Sequence, residues 1–191
     1  MDVNDIKSRR ENQLKWLDFI NFSLCTARKQ SANHRKEGGV EMGFNIVLVE
    51  PEIPNNTGNI GRLSLASGSI LHLIQPLGFE ITDARLKRAG LDYWRHLDVR
   101  FYDDLESFMA LNKEAHFAFL SSKGKKSYHE IDYRDDMFLV FGKESVGLPE
   151  KLLSLYPDRL FRIPIFSDHI RSLNVANAVS IVVYDGLRAL D

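Results

Sequence analysis

The sequence predicts an α/β fold, a mostly parallel sheet flanked by helices. Two observations carry that expectation. From residue 43 onward, short apolar runs alternate with stretches of helical spacing, the pattern of strands buried on both faces beneath helices. The segments richest in glycine and polar residues, 50–62, 142–149 and 164–174, follow strand-like runs. Ligands of open parallel sheets collect at the carboxyl ends of the strands.

Each element has a local reason. Phe44-Asn45-Ile46-Val47-Leu48-Val49 is a short β-branched run fit for a buried strand. Residues 56–67 read as a loop opening a helix, with Leu63, Leu65 and Ala66 as apolar positions. Residues 70–74 form the next strand, stopped by Pro76. Thr82 caps a helix through Gly90, and a second helical stretch covers 91–97. Asp103-Asp104 opens a helix to Leu111, placing acidic groups at its positive end. Residues 116–121 and 137–141 are strands, the latter ended by Gly142. Pro149 begins a short helix to Tyr156, and 160–165 is the last strand. Residues 174–190 form the closing helix, with Val175, Ala178, Ile181, Val182 and Leu187 at helical spacing.

Residues 1–42 read differently. Charges are mixed, as in Lys7-Ser8-Arg9-Arg10-Glu11, and Gly38-Gly39 has the look of a linker. They are expected to form an N-terminal extension, flexible or helical in part over 11–28, or upstream translation before the natural start. A small RNA-binding appendage is the alternative. Residues 43–191 are expected to form the compact domain.

Bulk composition narrows the function classes. The chain has 191 residues, 44% hydrophobic, with a net charge of −1. That suits one domain with a real core, and any nucleic-acid contact must use a local patch. Two candidate patches exist: Arg85, Lys87, Arg88 and Arg95, and then Lys123, Lys125 and Lys126. Each is a solvated face or an RNA grip. A single cysteine, Cys25, excludes an internal disulfide and a thiolate metal site and points to a reduced, cytoplasmic protein. No apolar run is long enough to span a membrane, and no basic-then-apolar start marks a secretory signal. His72, His129 and His169 lack metal-ligand spacing, so no metal is expected; His72 reads as a packed or edge residue of its strand.

Three motifs carry the chemistry. In the run 50–62, Pro51 and Pro54 stiffen the approach, and Gly58 and Gly61 let the backbone come close to another group. Without a Gly-x-Gly start or a Gly-Lys-Ser/Thr end, it is neither a dinucleotide fingerprint nor a P-loop. Arg62 is expected one turn into the following helix, near its positive end. The dipole does not stabilise a cation there, which suggests a phosphate or carboxylate partner; a solvated arginine is the alternative. In Phe141-Gly142-Lys143-Glu144-Ser145-Val146-Gly147-Leu148-Pro149, backbone groups and one carboxylate suit a planar heterocycle such as adenine, or else form a tight turn with Glu144 capping the next helix. In the third, running from Ile163-Pro164 to Ala178, Ser172 or Asn174 can cap the last helix. Small residues at Ala176, Ala178 and Ser180 allow another segment to pack closely.

Asn56-Thr57-Gly58-Asn59-Ile60-Gly61-Arg62, the 141–149 stretch, and Ile163-Pro164 with Ser172-Leu173-Asn174-Val175, in this order, resemble the SpoU branch of the SPOUT methyltransferases. The likeness is closest to the small tRNA 2′-O-methyltransferases of the wobble cytidine or uridine. Glu50-Pro51-Glu52-Ile53-Pro54, Pro76-Leu77-Gly78-Phe79 and Arg88-Ala89-Gly90-Leu91-Asp92-Tyr93 reinforce it. It covers residues 43–191. Many relatives carry proline at the position of Lys143 and serine at that of Ala176.

The resemblance implies a sheet whose C-terminal part is tied in a deep trefoil knot, a rare feature that periodicity does not suggest. It implies S-adenosyl-L-methionine bound in the knotted loops by Leu120, Gly142, Ile163 and Ser172, and a homodimer formed through the last helix. It further implies 2′-O-methylation of the wobble nucleotide of tRNA, with Arg62 as proton acceptor. Glu144 and Asn174 then shape the loops and orient Arg62 and the cofactor, and Asn56 holds the first loop. From the two basic patches, Arg85, Arg88 and Lys123 are the expected RNA contacts. Guanidinium groups stay protonated at ordinary pH, so a second role for Arg62 is to grip the phosphate beside the target ribose. The alternatives are methylation at another tRNA or rRNA position, and a non-catalytic RNA-binding homologue.

Overall fold

The computed structural model describes residues 43–81 and 92–191. They belong to the compact unit Met42–Asp191. The extension 1–42, the helix expected over 82–90, and Arg85, Lys87 and Arg88 lie outside the described residues.

Among the described residues, seven strands form one sheet: β1 (Asn45–Val49), β2 (Ile70–Ile74), β3 (Val99–Tyr102), β4 (Phe117–Leu120), β5 (Lys126–Ser127), β6 (Phe138–Phe141) and β7 (Leu160–Arg162). Their order is β3-β2-β1-β6-β4-β7-β5, and every pairing is parallel. The central strands β1, β4 and β6 are buried along their whole length, which explains why they are apolar throughout except at Asn45.

Because side chains alternate along a strand, the sheet feeds two cores. Ile46, Leu48, Leu71, Leu73, Leu139 and Phe141 pack with Ile60 of α1 (Pro54–Ala66) and with Val179, Val182 and Val183 of the C-terminal helix. Val47, Val49, Phe117, Phe119, Phe138 and Val140 pack on the other side with Phe108 of α2 (Leu105–Leu111) and Leu152 and Leu153 of α3 (Glu150–Leu155). The C-terminal helix, α4 (Val175–Leu190), approaches the sheet at Gly186, where a Cβ would lie 2.6 Å from the Phe44 ring and 2.7 Å from Tyr133. The architecture is helix, sheet, helix. No helix among the described residues is long and apolar enough to cross a membrane.

Four expectations need correction. The run expected as a loop before residue 62 is helical from Pro54, because proline is preset for the first turn of a helix. Strands β3 and β5 were not expected: β3 is a half-buried edge strand carrying Arg100, and β5 has two residues. Strand β7 stops at Arg162 rather than 165, since Pro164 has no N–H to give to a ladder. The stretch expected to be helical over 91–97 contains a 3₁₀ turn, Asp92–His96.

His72 is fully buried in β2 between two partners. Its Nε2 lies 2.9 Å from Asn45 Oδ1, and its Nδ1 lies 2.9 Å from the Tyr102 hydroxyl. The Asn45 amide nitrogen donates to the Asp136 carbonyl, so Asn45 Oδ1 accepts from His72 Nε2–H. Tyr102 then donates to Nδ1, which defines the neutral tautomer. Burial, aided by Arg100, pushes this imidazole from 6.5 down to about 3. Between those values the unfolded chain holds a proton that the folded chain does not. Stability present at neutral pH is therefore lost as pH falls through that window, by up to about 1.4 kcal/mol per pH unit. Urea unfolding at pH 7 and pH 5 measures this loss. His72→Gln, which cannot take up the proton, is expected to flatten the pH dependence.

Candidate functional site

The sheet changes its direction of growth between β1 and β6. From β1 the chain moves outward to β2 and β3, while β6 borders β4 on the other side. Loops leaving adjacent carboxyl ends diverge at such a point and leave a crevice. A cavity of about 420 Å³ lies there. Its walls come from residues 120–123 after β4, 141–148 after β6, Ile163 and Ile165 after β7, residues 171–175, and Ile53 and Asn56 at the start of α1.

The wall after β6 is a tight loop. The Gly147 amide donates to the Lys143 carbonyl at 2.8 Å, and Gly147 has φ of +76°, which favours glycine. A Cβ on Gly142 would overlap the backbone of Gly147 and Leu148. The loop can close on itself only if residue 142 has no side chain.

One carboxylate joins this loop to the rest of the site. Glu144 accepts from the Glu52 amide at 2.8 Å, the Ile53 amide at 3.3 Å and the Asn56 side-chain amide at 2.9 Å. It sits at the positive end of α1, where a negative charge is stabilised. Asn56 Oδ1 accepts from Asn174 Nδ2 at 2.9 Å, and Asn174 Oδ1 accepts from the amides of Ala176 and Asn177, capping α4. Glu144 thus serves the helix at 54–66, whereas α3 begins at Glu150 after Pro149, with no side-chain cap.

The structure brings Asn56, Leu120, Lys123, Gly142, Glu144, Ile163, Ser172 and Asn174 to this one cavity. Arg62 does not line it. Arg62 is the ninth of the 13 residues of α1, more than two turns from the start, so the helix-end argument for an anionic partner does not hold. Its guanidinium lies 4.9 Å from the centre of the Tyr93 ring. Tyr93 in turn donates to the Gly58 carbonyl at 2.7 Å. Lys123 Nζ pairs with Glu150 at 2.7 Å, both exposed, an interaction worth little in water. Ala176 is buried in this chain's own core, so its small size already serves packing against α1 and the sheet.

Motif reading passed over Arg171. It lines the cavity beside Ser172, is exposed, and makes no ion pair or hydrogen bond with the described residues. Its position three residues before the α4 cap, Asn174, was the available signal. Among the described residues, no group of three or more His, Cys, Asp or Glu side chains could hold a metal ion.

The cavity volume, its apolar members Leu120, Ile163, Ile165 and Leu173, and the polar edges of the 142–147 loop suit a nucleoside-sized ligand. Glu144→Ala removes the acceptor for three donors and is expected to lower the unfolding free energy by about 1–3 kcal/mol, with Glu144→Gln less harmful. Urea denaturation of the two variants checks this order.

Residues 43–184 match the SpoU rRNA Methylase family. A relative from Listeria monocytogenes is 48% identical over 150 residues, covering 77% of this chain and 88% of its own. The tRNA (cytidine(34)-2′-O)-methyltransferase of Escherichia coli K12 is 44% identical over 148 residues, covering 77% of this chain and 94% of its own. A structure solved in work on the 2-OH methylation of C/U34 on tRNA superposes with a TM-score of 0.73. It is 42% identical and covers 78% of this chain and 97% of its own.

Proposed function

From the fact that the chain belongs to the SpoU rRNA methylase family, we propose that its cavity serves methyl transfer from S-adenosyl-L-methionine to the ribose 2′-oxygen of the wobble nucleotide, cytidine or uridine, of tRNA. The observation that carries this reading is the convergence of Leu120, Gly142, Ile163 and Ser172, from four separate segments, on one cavity at the sheet's switch point.

Bound S-adenosyl-L-methionine supplies a sulfonium methyl group, an electrophile that needs placement more than activation. The residues do the placing. Leu120, Ile163 and the backbone of the 142–147 loop would hold the adenosine part, and Ser172 offers a hydroxyl at the rim. Glu144, Asn56 and Asn174 keep the loop and both helix starts in register, so the geometry is set before the ligands arrive. Such pre-positioning is worth several kcal/mol of barrier, up to about 7–11 in ideal cases. The 2′-hydroxyl needs a proton acceptor. Arg62 is assigned to the RNA phosphate beside the target ribose, whose oxygen takes that proton, and Arg171 is available for a second phosphate. Lys123 at the rim, with Arg85 and Arg88, completes the RNA contact.

The reading includes a cytoplasmic homodimer joined through α4 and a deep trefoil knot at the C-terminus. For the knot, the support is topological. Strand β7 lies between β4 and β5, which are consecutive in the chain. The connection between them crosses β7 so closely that a Cβ on Gly124 would lie 2.7 Å from the Phe161 carbonyl carbon. For the dimer, the support is that Arg62 lies outside the cavity of its own chain; a second copy would bring its Arg62 to the open side.

Incubation with labelled S-adenosyl-L-methionine and total tRNA, followed by nucleoside mapping, is expected to place the label on the 2′-O-methyl of nucleotide 34. Label at another tRNA position, or on rRNA alone, would favour the second target class. Arg62→Ala is expected to abolish turnover, and Arg62→Lys to keep measurable activity, as a phosphate clamp should. An equal mixture of Arg62→Ala and Gly142→Ala subunits, unfolded and refolded together, is expected to recover activity in about one quarter of the sites. No recovery would place Arg62 and the cavity it serves in the same subunit.

A further inference from the structure

The end of β1 carries two acidic side chains, Glu50 and Glu52, that the assigned site does not use. Both reach across to the 142–147 loop. Lys143 Nζ lies 2.6 Å from Glu50 Oε2, with each side chain 28% exposed. The Ser145 amide donates to Glu52 Oε2 at 3.0 Å. In the opposite direction, Glu144 takes the amides of Glu52 and Ile53. Each segment therefore gives a carboxylate to the other's backbone, and one ion pair closes the set.

The backbone of Glu50 is strained. Its φ is +49°, in the left-handed region that residues with a Cβ avoid. Such a conformation persists where surrounding contacts over-determine it, and functional sites are where it concentrates. Here the Glu50 amide donates to the Ile74 carbonyl at 2.9 Å while its side chain is held by Lys143. The next residues are braced too: the Gly78 amide donates to the Pro51 carbonyl, and a Cβ on Gly78 would lie 2.8 Å from Glu52 Cα. Segment 50–52 is a firm platform against which the loop is clamped. The hydrogen bond that Lys143 donates to Glu50 raises the Lys143 pKa, and the bonds that Ser145 donates to Glu52 lower that of Glu52. Both shifts favour the charged forms the clamp needs.

We propose that Glu50, Glu52 and Lys143 are positioning residues for the methyl-donor loop: they hold residues 142–147 in the receiving shape and act through that loop rather than on the reacting atoms. The proposal rests on the methyltransferase reading for its ligand, and on the clamp geometry alone for its effect on the loop.

The test has two arms. In the ligand-free chain, Glu50→Gln and Lys143→Met are each expected to speed amide hydrogen exchange in residues 142–147 while leaving α2 and α3 unchanged. With S-adenosylhomocysteine as probe, each is expected to weaken binding by about tenfold, since a loop no longer pre-organised must be ordered on binding. The donor KM should rise with kcat and tRNA KM held within about twofold. The double variant should match the single ones, because they break one pair. Lys143→Arg should restore most of the affinity, and Glu52→Ala should weaken binding more than Glu52→Gln, which keeps an acceptor. Unchanged exchange and unchanged probe affinity in Glu50→Gln and Lys143→Met would overturn the proposal. So would a fall in kcat and thermal stability without a change in probe affinity. If exchange responds but the wild-type chain binds no probe, the clamp exists, the methyltransferase reading has failed, and the assignment to a donor loop is overturned with it.

Discussion

Glu144 is the residue on which the geometry of the site depends. Its carboxylate takes two backbone amides at the start of α1 and the side chain of Asn56, and Asn56 passes the connection to Asn174 at the start of α4. Three segments separated by about 90 and about 120 positions are thereby fixed to one another by side-chain hydrogen bonds. Backbone ladders alone could not do this, because the sheet ends where the loops begin. A charged acceptor shared among several donors, at the positive end of a helix, is among the stronger polar arrangements available at a partly solvated site.

The sheet determines where that arrangement can be useful. Parallel strands direct all their outgoing loops to one edge, and the reversal between β1 and β6 opens a gap there. The two faces of the sheet are filled by separate apolar cores, with α1 and α4 on one side and α2 and α3 on the other. The strand ends are consequently rigid, and small loops built on them can hold a ligand accurately. Gly142 continues that logic at atomic scale. The loop folds back so tightly on Gly147 that any side chain at 142 would displace it. The cavity owes its shape to the absence of an atom as well as to the residues present.

The cationic groups divide by what holds them. Lys143 is taken up in an ion pair with Glu50, and Lys123 is shared with Glu150. Arg171 has no such partner among the described residues and stands at the rim. Arg62 rests on Tyr93, outside the cavity. In a chain with net charge −1 positive charge is therefore local, and a near-neutral protein that binds nucleic acid must do so through a few placed side chains.

Much of this was legible beforehand, and for identifiable reasons. Strands β1, β2, β4 and β6 announce themselves because burial on both faces demands apolar runs, interrupted here only by Asn45 and His72. The closing helix does so by its 3.6-residue spacing and the capping Asn174. The three motifs in order carried the family resemblance, and that resemblance implied Leu120, Gly142, Glu144, Ile163 and Ser172, which line one cavity. Strands β3 and β5 escaped because edge strands that short carry no periodic signal, and α1 was shortened because its glycines and asparagines have the composition of a loop. What only the tertiary structure decided is pairing across distance: Glu144 with the start of α1 rather than α3, Glu50 with Lys143, and Arg62 away from the cavity. Local sequence specifies which residues can be helix, strand or turn, since those preferences depend on near neighbours. Which carboxylate meets which amide depends on where the sheet's switch point brings remote loops together, and no local pattern encodes that distance.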